Sequence, residues 1–310
     1  MWVHILYENE AWLPPLVDAL NRAGLTPRPW FVDGTAIDLS RPAPEGIYIN
    51  RMSPSAHTRG HQGGIAATRD VLAWAEAYGR RVLNGTAAFG LEVSKLRQDI
   101  ALRAAGILTP TTVGAVGREG LRKAVEHMDG PFVTKHNQGG KGLGVRLFHD
   151  RAAFDAFADS PDADETPDGV WVLQQYIAPP EPFVTRVEIV GGRFLYAIRS
   201  STAGGFELCP ADACAVASDA FCPVGGTGKF QLRPDITADD PLVKAYVAFC
   251  ETHGLDVAGI EFVEDADGRR YTYDVNANSN YNGDVERAHS LSGMDAVASF
   301  CAAHALRTAA

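Results

Sequence analysis

The chain has 310 residues, of which 46 % are hydrophobic and 21 % charged, and a formal net charge of −10. This is a globular composition with room for two or three compact lobes, and its acidic balance argues against a nucleic-acid groove. No run approaches the ~20 consecutive apolar residues of a membrane-spanning helix. His4, Glu8 and Glu10 are unlike a secretion signal, and an odd count of five cysteines points to free thiols in a reducing, cytoplasmic setting.

Residues 3–7 read as a strand and 12–23 as a helix, with Pro14 and Pro15 in its first turn. Strands follow at 29–32 and 46–50, the latter ending at Arg51. A helix at 65–78 carries Ile65, Val71, Leu72, Ala75 and Tyr78 along one face, with Thr68 between them, and 81–83 is a fourth strand. Strands alternating with helices predict a small parallel α/β domain ending near residue 88. Ligands in such sheets sit beyond the carboxyl ends of the strands, where Glu8, Arg51 and Asn84 fall. A helix at 95–105 closes on Gly106. Beyond it the pattern is strand-rich, with helices at 119–128 and 152–158, a loop at 161–168, and late helices at 241–253 and 294–305.

Two segments carry chemistry. In the first, a short apolar strand from Pro131 bears Lys135 and runs into Gly139, Gly140, Gly142 and Gly144, after which a second strand begins. Glycines let backbone N–H groups approach phosphate oxygens, and a lysine just before them adds positive charge. No Gly-Lys-Ser/Thr opens a helix here, so this is not a Walker A loop, and a glycine-rich hairpin turn without a ligand would look the same.

The second segment spans 258–278. Two β-rich runs flank Asp267-Gly268, a preferred pair for a two-residue turn. That turn sets Ala266 against Arg269 and, counting outward, Glu261 directly opposite Asp274, with Asn276 on the same face. Like charges placed opposite each other destabilise a hairpin unless a cation lies between them. Two carboxylates and an amide oxygen are also what magnesium on a nucleotide needs, although a solvated hairpin face is the plainer alternative. Cys209, Cys214 and Cys222 lack zinc or iron–sulfur spacing and read as ordinary packed cysteines; Gly225 to Lys229 reads as a plain loop.

In this order the two segments resemble the ATP-grasp superfamily, in particular the RimK-type and glutathione-synthetase-like carboxylate-amine ligases. The likeness extends through Asn50-Arg51-Met-Ser-Pro54, Val82-Leu-Asn-Gly85, Ser94-Lys95-Leu-Arg-Gln98, Gly106-Ile-Leu-Thr-Pro110, Leu173-Gln-Gln-Tyr-Ile177 and the strand pair from Val184 to Arg199. It departs at Gln174-Gln175, where an acidic residue is common. Glu261 and Asp274 exchange the usual Asp and Glu, Ala277-Asn-Ser-Asn-Tyr281 replaces a Ser-Pro-Gly turn, and Phe206 to Cys214 differs from the RimK-type segment.

The resemblance implies an α/β protein with an ATP-grasp fold: an N-terminal parallel α/β pre-ATP-grasp domain over 1–88 and α+β grasp lobes over 89–170 and 171–310. It implies ATP with Mg²⁺ (or Mn²⁺), adenine against Gln174, Gln175, Tyr176 and Ile177, and phosphates on Lys95, Lys135 and the glycines at 139, 140, 142 and 144. Metal would sit on Glu261, Asp274 and Asn276. Arg186 and Arg199, expected on neighbouring strands facing the cleft, would stabilise the γ-phosphate and the oxyanion, while Arg51, His57 and Arg59 are candidates for a substrate carboxylate. The expected activity joins an amino acid, peptide or other carboxylic acid to an amine acceptor through an acylphosphate. A kinase acting on a small-molecule hydroxyl, a non-catalytic MgATP-binding regulator and a homo-oligomeric state stay open.

Overall fold

The computed structural model describes residues 1–140, 142, 144–203 and 229–308. The first unit is a parallel sheet built from β1 (Trp2–Tyr7), α1 (Pro14–Arg22), β2 (Thr26–Phe31), β3 (Ile47–Arg51), α2 (Gly64–Ala77) and β4 (Arg81–Leu83), with strand order β2-β1-β3-β4. α1 starts later than the apolar pattern predicts, because Glu10–Trp12 forms a separate 3-10 turn before Pro14. β2 begins at Thr26 rather than residue 29 and tolerates two prolines. Thr26 and Val32 donate their N–H groups toward β1, so the nitrogens of Pro27 and Pro29 face outward from the open edge. α2 buries Thr68, Val71, Leu72 and Ala75 as expected, but Tyr78 caps the helix and is exposed.

A second, antiparallel sheet has the order β5-β8-β6-β7. The chain reaches it through α3 (Thr86–Glu92) and α4 (Lys95–Ala104), then forms β5 (Thr112–Val116), α5 (Gly117–Ala124), β6 (Phe132–His136), β7 (Arg146–Phe148), α6 (Arg151–Asp159) and β8 (Val170–Gln175). Because β8 pairs with both β5 and β6 up to Gln175, this sheet extends past the boundary expected at residue 170. Phe132, Phe148, Phe154, Phe157 and Trp171 interlock in its core. α3 was not legible in the sequence. It packs Ala88 and Leu91 against the third sheet together with Leu102 of α4.

The third sheet has the order β11-β10-β9-β12-β13 and consists of β9 (Phe183–Val190), β10 (Arg193–Ser201), β11 (Phe230–Leu232), β12 (Val257–Glu264) and β13 (Arg270–Asn276). α7 (Pro241–His253) covers one face, burying Val243, Tyr246, Phe249 and Cys250. On the other face, Val190, Tyr196, Ile198 and Val257 share a core with α1, α8 (Gly283–His289), α9 (Gly293–Thr308) and the first sheet. Asn84, at the end of β4, ties the first sheet to the third. It adopts a left-handed backbone (φ 52°), and its amide exchanges hydrogen bonds with Val257 (2.8 and 3.1 Å) and also donates to the carbonyl of Ala277.

Among the described residues no helix is long and apolar enough to cross a membrane. The segment from Phe206 to Cys214, Cys222 and Gly225 to Gly228 lie outside the described residues, as does Lys141.

Candidate functional site

A cleft of ≈ 220 Å³ opens where the three sheets meet. Its floor is the β12–β13 hairpin, and the pairing Glu261 with Asp274 is the expected one, reached by a different route. The turn is longer than two residues. Gly268 donates to the Asp265 carbonyl and Asp265 to the Arg269 carbonyl, with Gly268 left-handed (φ 77°), so Glu264 pairs with Arg270. A bulge between Glu261 and Phe262 on the β12 side takes up Tyr273 on the other strand and restores the register. The two one-residue offsets cancel. The extra residue is useful, since Tyr273 lines the cleft and its hydroxyl donates to Glu261 Oε2 at 2.9 Å.

Asn276 stands opposite Gly259, and its Nδ2 donates to Asp274 Oδ2 (3.1 Å) and to the Gly259 carbonyl (3.3 Å). With its nitrogen so engaged, the amide oxygen is the group left to present to a cation. Glu261, Asp274 and Asn276 thus offer hard oxygen donors of the kind magnesium takes. Among the described residues no group of three His, Cys, Asp or Glu side chains could hold a metal unaided. The hairpin therefore fits a cation whose remaining positions are filled by nucleotide and water.

Cations already surround these carboxylates. Lys95 makes a short ion pair with Asp274. Arg186 lies across β12, donating from Nη1 to Glu261 (2.8 Å), from Nε to Glu188 (2.6 Å) and from Nη2 to the Ser279 hydroxyl (2.8 Å). A Cβ on Gly259 would lie 2.0 Å from Arg186 Nη2, so only glycine lets the guanidinium rest there. Lys135 Nζ donates to Gln174 Oε1 (2.8 Å) and to the Tyr273 carbonyl (3.3 Å).

Burial and charge push these groups apart. Burial, followed by the nearby Lys95 charge, lowers Lys135 to about 7. Burial also works against Lys95, but the Asp274 carboxylate outweighs it and raises Lys95 above its ordinary value. Asp274 is held low: burial would raise it, yet Lys95 and Lys135 prevail. Glu261 is raised by burial against the opposing pull of Arg186, and Glu92, fully buried on the cleft wall, is raised by burial to about 7.

The other expected residues divide. Gly139, Gly140, Gly142 and Gln174 to Ile177 all line the cleft, with Val133, Val184 and Val263 adding apolar surface. Gly144 is left-handed (φ 75°), and a Cβ there would lie 2.8 Å from His136. Arg199 does not share the face of Arg186. Ile198 is the residue opposite Arg186, so Arg199, paired with Thr185, projects from the other side and bonds Gln231 at 2.7 Å. The expectation of two cleft arginines on these strands is corrected by that one-residue parity.

Arg59 forms a two-pronged pair with the buried Glu8 (2.6 and 2.8 Å), so its charge is already matched. Arg51 is buried with Nη1 on the Ser279 carbonyl and Nη2 on Asn280 Oδ1, both at 2.5 Å; it faces a small separate cavity, and burial lowers it to about 10. His57 is half-buried and is not on the cleft wall. Of the residues expected at a ligand-binding edge, Arg51 and Asn84 instead tie the first sheet to the third, and Glu8 pairs with Arg59 within the first unit. The sequence reading missed Tyr273, Glu92, Glu188 and Ser279. Of the missed features, only Gly259, a glycine inside a strand, carried a usable signal.

The architecture is the ATP-grasp fold. D-cycloserine synthetase DcsG superposes with a TM-score of 0.71 over 97 % of this chain and 99 % of that one, at 17 % identity. The ATP-grasp ligase PsnB, solved with a minimal precursor, Mg and ADP, gives a TM-score of 0.65 over 97 % and 96 % at 15 % identity. By sequence the chain is similar to a probable alpha-L-glutamate ligase of Mannheimia succiniciproducens, 27 % identical over 69 % of this chain and 63 % of that protein. It is also similar to beta-citrylglutamate synthase B of Danio rerio, 26 % identical over 67 % of this chain and 47 % of that protein. The alignments thus span less than two thirds of either relative. No protein-family model matches the chain.

Proposed function

We propose that the chain is an ADP-forming carboxylate–amine ligase, using ATP with Mg²⁺ or Mn²⁺ and forming an amide through an acylphosphate. One observation carries this reading: Lys95, Lys135, the glycines at 139, 140 and 142, Arg186 and the Glu261–Asp274–Asn276 face line a single cleft. Ligase-named relatives and structural neighbours support it, and they favour amino-acid or peptide substrates. The lobes would be 1–88, 89 to the end of β8, and the remainder. The two cysteines among the described residues, Cys250 and Cys301, are free and buried, as suits a cytoplasmic protein.

Gln174, Gln175, Tyr176 and Ile177 would receive the adenine, with Val133, Val184 and Val263 supplying apolar cleft surface. The glycines at 139, 140, 142 and 144 bring backbone N–H groups to the phosphates, and Lys95 and Lys135 balance their charge. Glu261, Asp274 and Asn276 would hold the cation, which would polarise phosphate oxygens and offset charge on the leaving ADP. A donor carboxylate oxygen bonds to the γ-phosphorus as the bond to the bridging oxygen breaks and ADP leaves. The acceptor nitrogen then bonds to the acyl carbon and gives up a proton while the carbon–oxygen bond to phosphate breaks. Arg186, fixed by Glu188 and Ser279, is positioned to steady the γ-phosphate and the tetrahedral oxyanion.

Hydroxylamine, small and nucleophilic, tests this. With MgATP and a panel of amino acids and dipeptides, the donor should give a hydroxamate together with equal ADP and phosphate. A phosphorylated product without hydroxamate would replace the ligase by a kinase.

A further inference from the structure

Beyond the metal triad the chain runs Ala277-Asn278-Ser279-Asn280, the segment whose sequence departs from the resembled family. It alternates as an extended strand would. Ser279 is buried, accepting from Arg186 and donating to Glu188 Oε2 at 2.9 Å, while Asn278 and Asn280 line the cleft on either side of it. Both amides are oriented by one residue. Asn278 Nδ2 donates to the Arg51 carbonyl at 2.9 Å, and Asn280 Oδ1 accepts from Arg51 Nη2 at 2.5 Å. What remains is an acceptor, Asn278 Oδ1, buried with no hydrogen-bond partner, and a donor, the Nδ2 of Asn280. An orphaned buried acceptor is destabilising, and a ligand donor would satisfy it.

The surrounding charges point the same way. Lys95, Arg186 and Arg59 each hold a carboxylate, Arg51 faces away from the cleft, and Lys135 sits beside Gln174 toward the nucleotide end. At this end of the cleft, beside Trp12, Ser53 and Ser55, no described cation is left to receive a second carboxylate. A buried carboxylate without a cation is expensive, whereas an uncharged group that both donates and accepts fits the asparagine pair.

We propose that Asn278 and Asn280 are specificity-determining residues that read a neutral hydroxyl or carboxamide on the substrate, so that the donor is a neutral polar amino acid rather than an acidic one. This rests on the ligase reading for the identity of the reacting carboxylate, but its test does not depend on turnover. The probes are L-glutamine against L-glutamate, L-asparagine against L-aspartate, and L-serine. Each is added to the full chain with Mg²⁺ and a non-hydrolysable ATP analogue while thermal stability is followed, and ADP release with MgATP is measured in parallel.

At least one neutral probe should stabilise the protein at concentrations 10-fold or more below its acidic counterpart (for serine, aspartate). Asn280→Asp keeps a partner for Arg51 and so keeps the fold, but removes the N–H donor and adds a negative charge. It should bind the nucleotide analogue as the parent does and lose the neutral probe by 10-fold or more. An acidic probe that binds as well as its neutral partner, no binding by any probe, or unchanged neutral binding in Asn280→Asp overturns the proposal. Neutral binding without ADP release would leave this specificity standing and remove the ligase reading instead.

Discussion

Replacing Gly259 with alanine is the sharpest test of how Arg186 is held. The new Cβ would sit 2.0 Å from Nη2, 2.3 Å from Cζ and 2.5 Å from Nε of Arg186, where a methyl group needs ~3.5 Å or more. Arg186 is the far end of a flexible side chain, but it cannot simply swing aside. Its three nitrogens are pinned at 2.6 to 2.8 Å by Glu188, Glu261 and Ser279, and its side chain is only 6 % exposed. Moving it leaves Glu188 and Glu261 as buried carboxylates without their partner, a loss of ~3–5 kcal/mol. At roughly 2 °C per kcal/mol for a chain of this size, apparent Tm should fall by about 6–10 °C. Because Glu261 is then opposed to Asp274 with less compensation, Mg²⁺ with a non-hydrolysable ATP analogue should raise Tm more in the variant than in the parent. Differential scanning fluorimetry with and without Mg²⁺ measures both effects. A Tm within 1 °C of the parent, with the same response to Mg²⁺, would refute the idea that Gly259 exists to seat the guanidinium.

Asp274→Asn should fold, since it keeps the side-chain shape beside Asn276, but calorimetry should show Mg²⁺-dependent nucleotide affinity reduced at least 10-fold and turnover abolished. Lys135→Ala should lower kcat more than nucleotide affinity, because its charge bears most on the transition state; activity retained within a few-fold would make the loop structural. Lys135 also predicts a pH signature. With its value lowered to about 7 in the folded chain against 10.5 unfolded, the unfolded state binds more protons between these limits, so this group's contribution makes stability rise with pH across that window. Nucleotide binding near pH 8 should then take up a proton that Lys135→Ala does not, seen as a buffer-dependent calorimetric enthalpy in the parent alone. Gly144→Ala forces a left-handed alanine against His136, costing ~1–2 kcal/mol, and should lower Tm by about 2–4 °C and weaken nucleotide binding about 10-fold.

Much of the site was readable because local chemistry fixes local geometry. A strand carrying Lys135 before a run of glycines, and a hairpin around Asp267-Gly268, need no distant contacts to be recognised. The Glu261–Asp274 pairing nevertheless came out for an incomplete reason, since a longer turn and a bulge at Tyr273 cancel, and neither is visible in the residue types. Arg199 shows the converse. Its chemistry suits the cleft, but β9 and β10 pair with Ile198 opposite Arg186, and a parity of one residue sends Arg199 to the far face. Such parity depends on where a turn closes, and the Gly191-Gly192 turn followed by an irregularity at Phe194 is not predictable from spacing. α3 was missed because 86–92 is a single short run of small and apolar residues. It is made helical by packing Ala88 and Leu91 onto the third sheet rather than by any periodic pattern of its own.

The arginines at 51 and 59 explain why residue type alone over-assigned the substrate site. Both look like anion receptors in sequence, and both lie at the carboxyl end of the first sheet where ligands commonly bind. Their partners are far apart in the chain: Glu8 for Arg59, and Ser279 with Asn280 for Arg51. These contacts convert two apparent receptors into a neutral pair and an internal brace. The guanidinium orients Asn280 while the main-chain carbonyl of the same residue orients Asn278, so the residue that sequence reasoning assigned to bind a carboxylate instead positions a donor and an acceptor suited to an uncharged group. Changing the Arg51 side chain should therefore disturb selectivity through the Asn280 amide. Arg51→Met keeps the aliphatic packing and the main-chain carbonyl that holds Asn278, leaves Asn280 free to flip, and should narrow the preference between neutral and acidic probes to a few-fold. A loss of all probe binding with nucleotide binding intact would instead make the guanidinium itself the receptor, and would return the site to an acidic substrate.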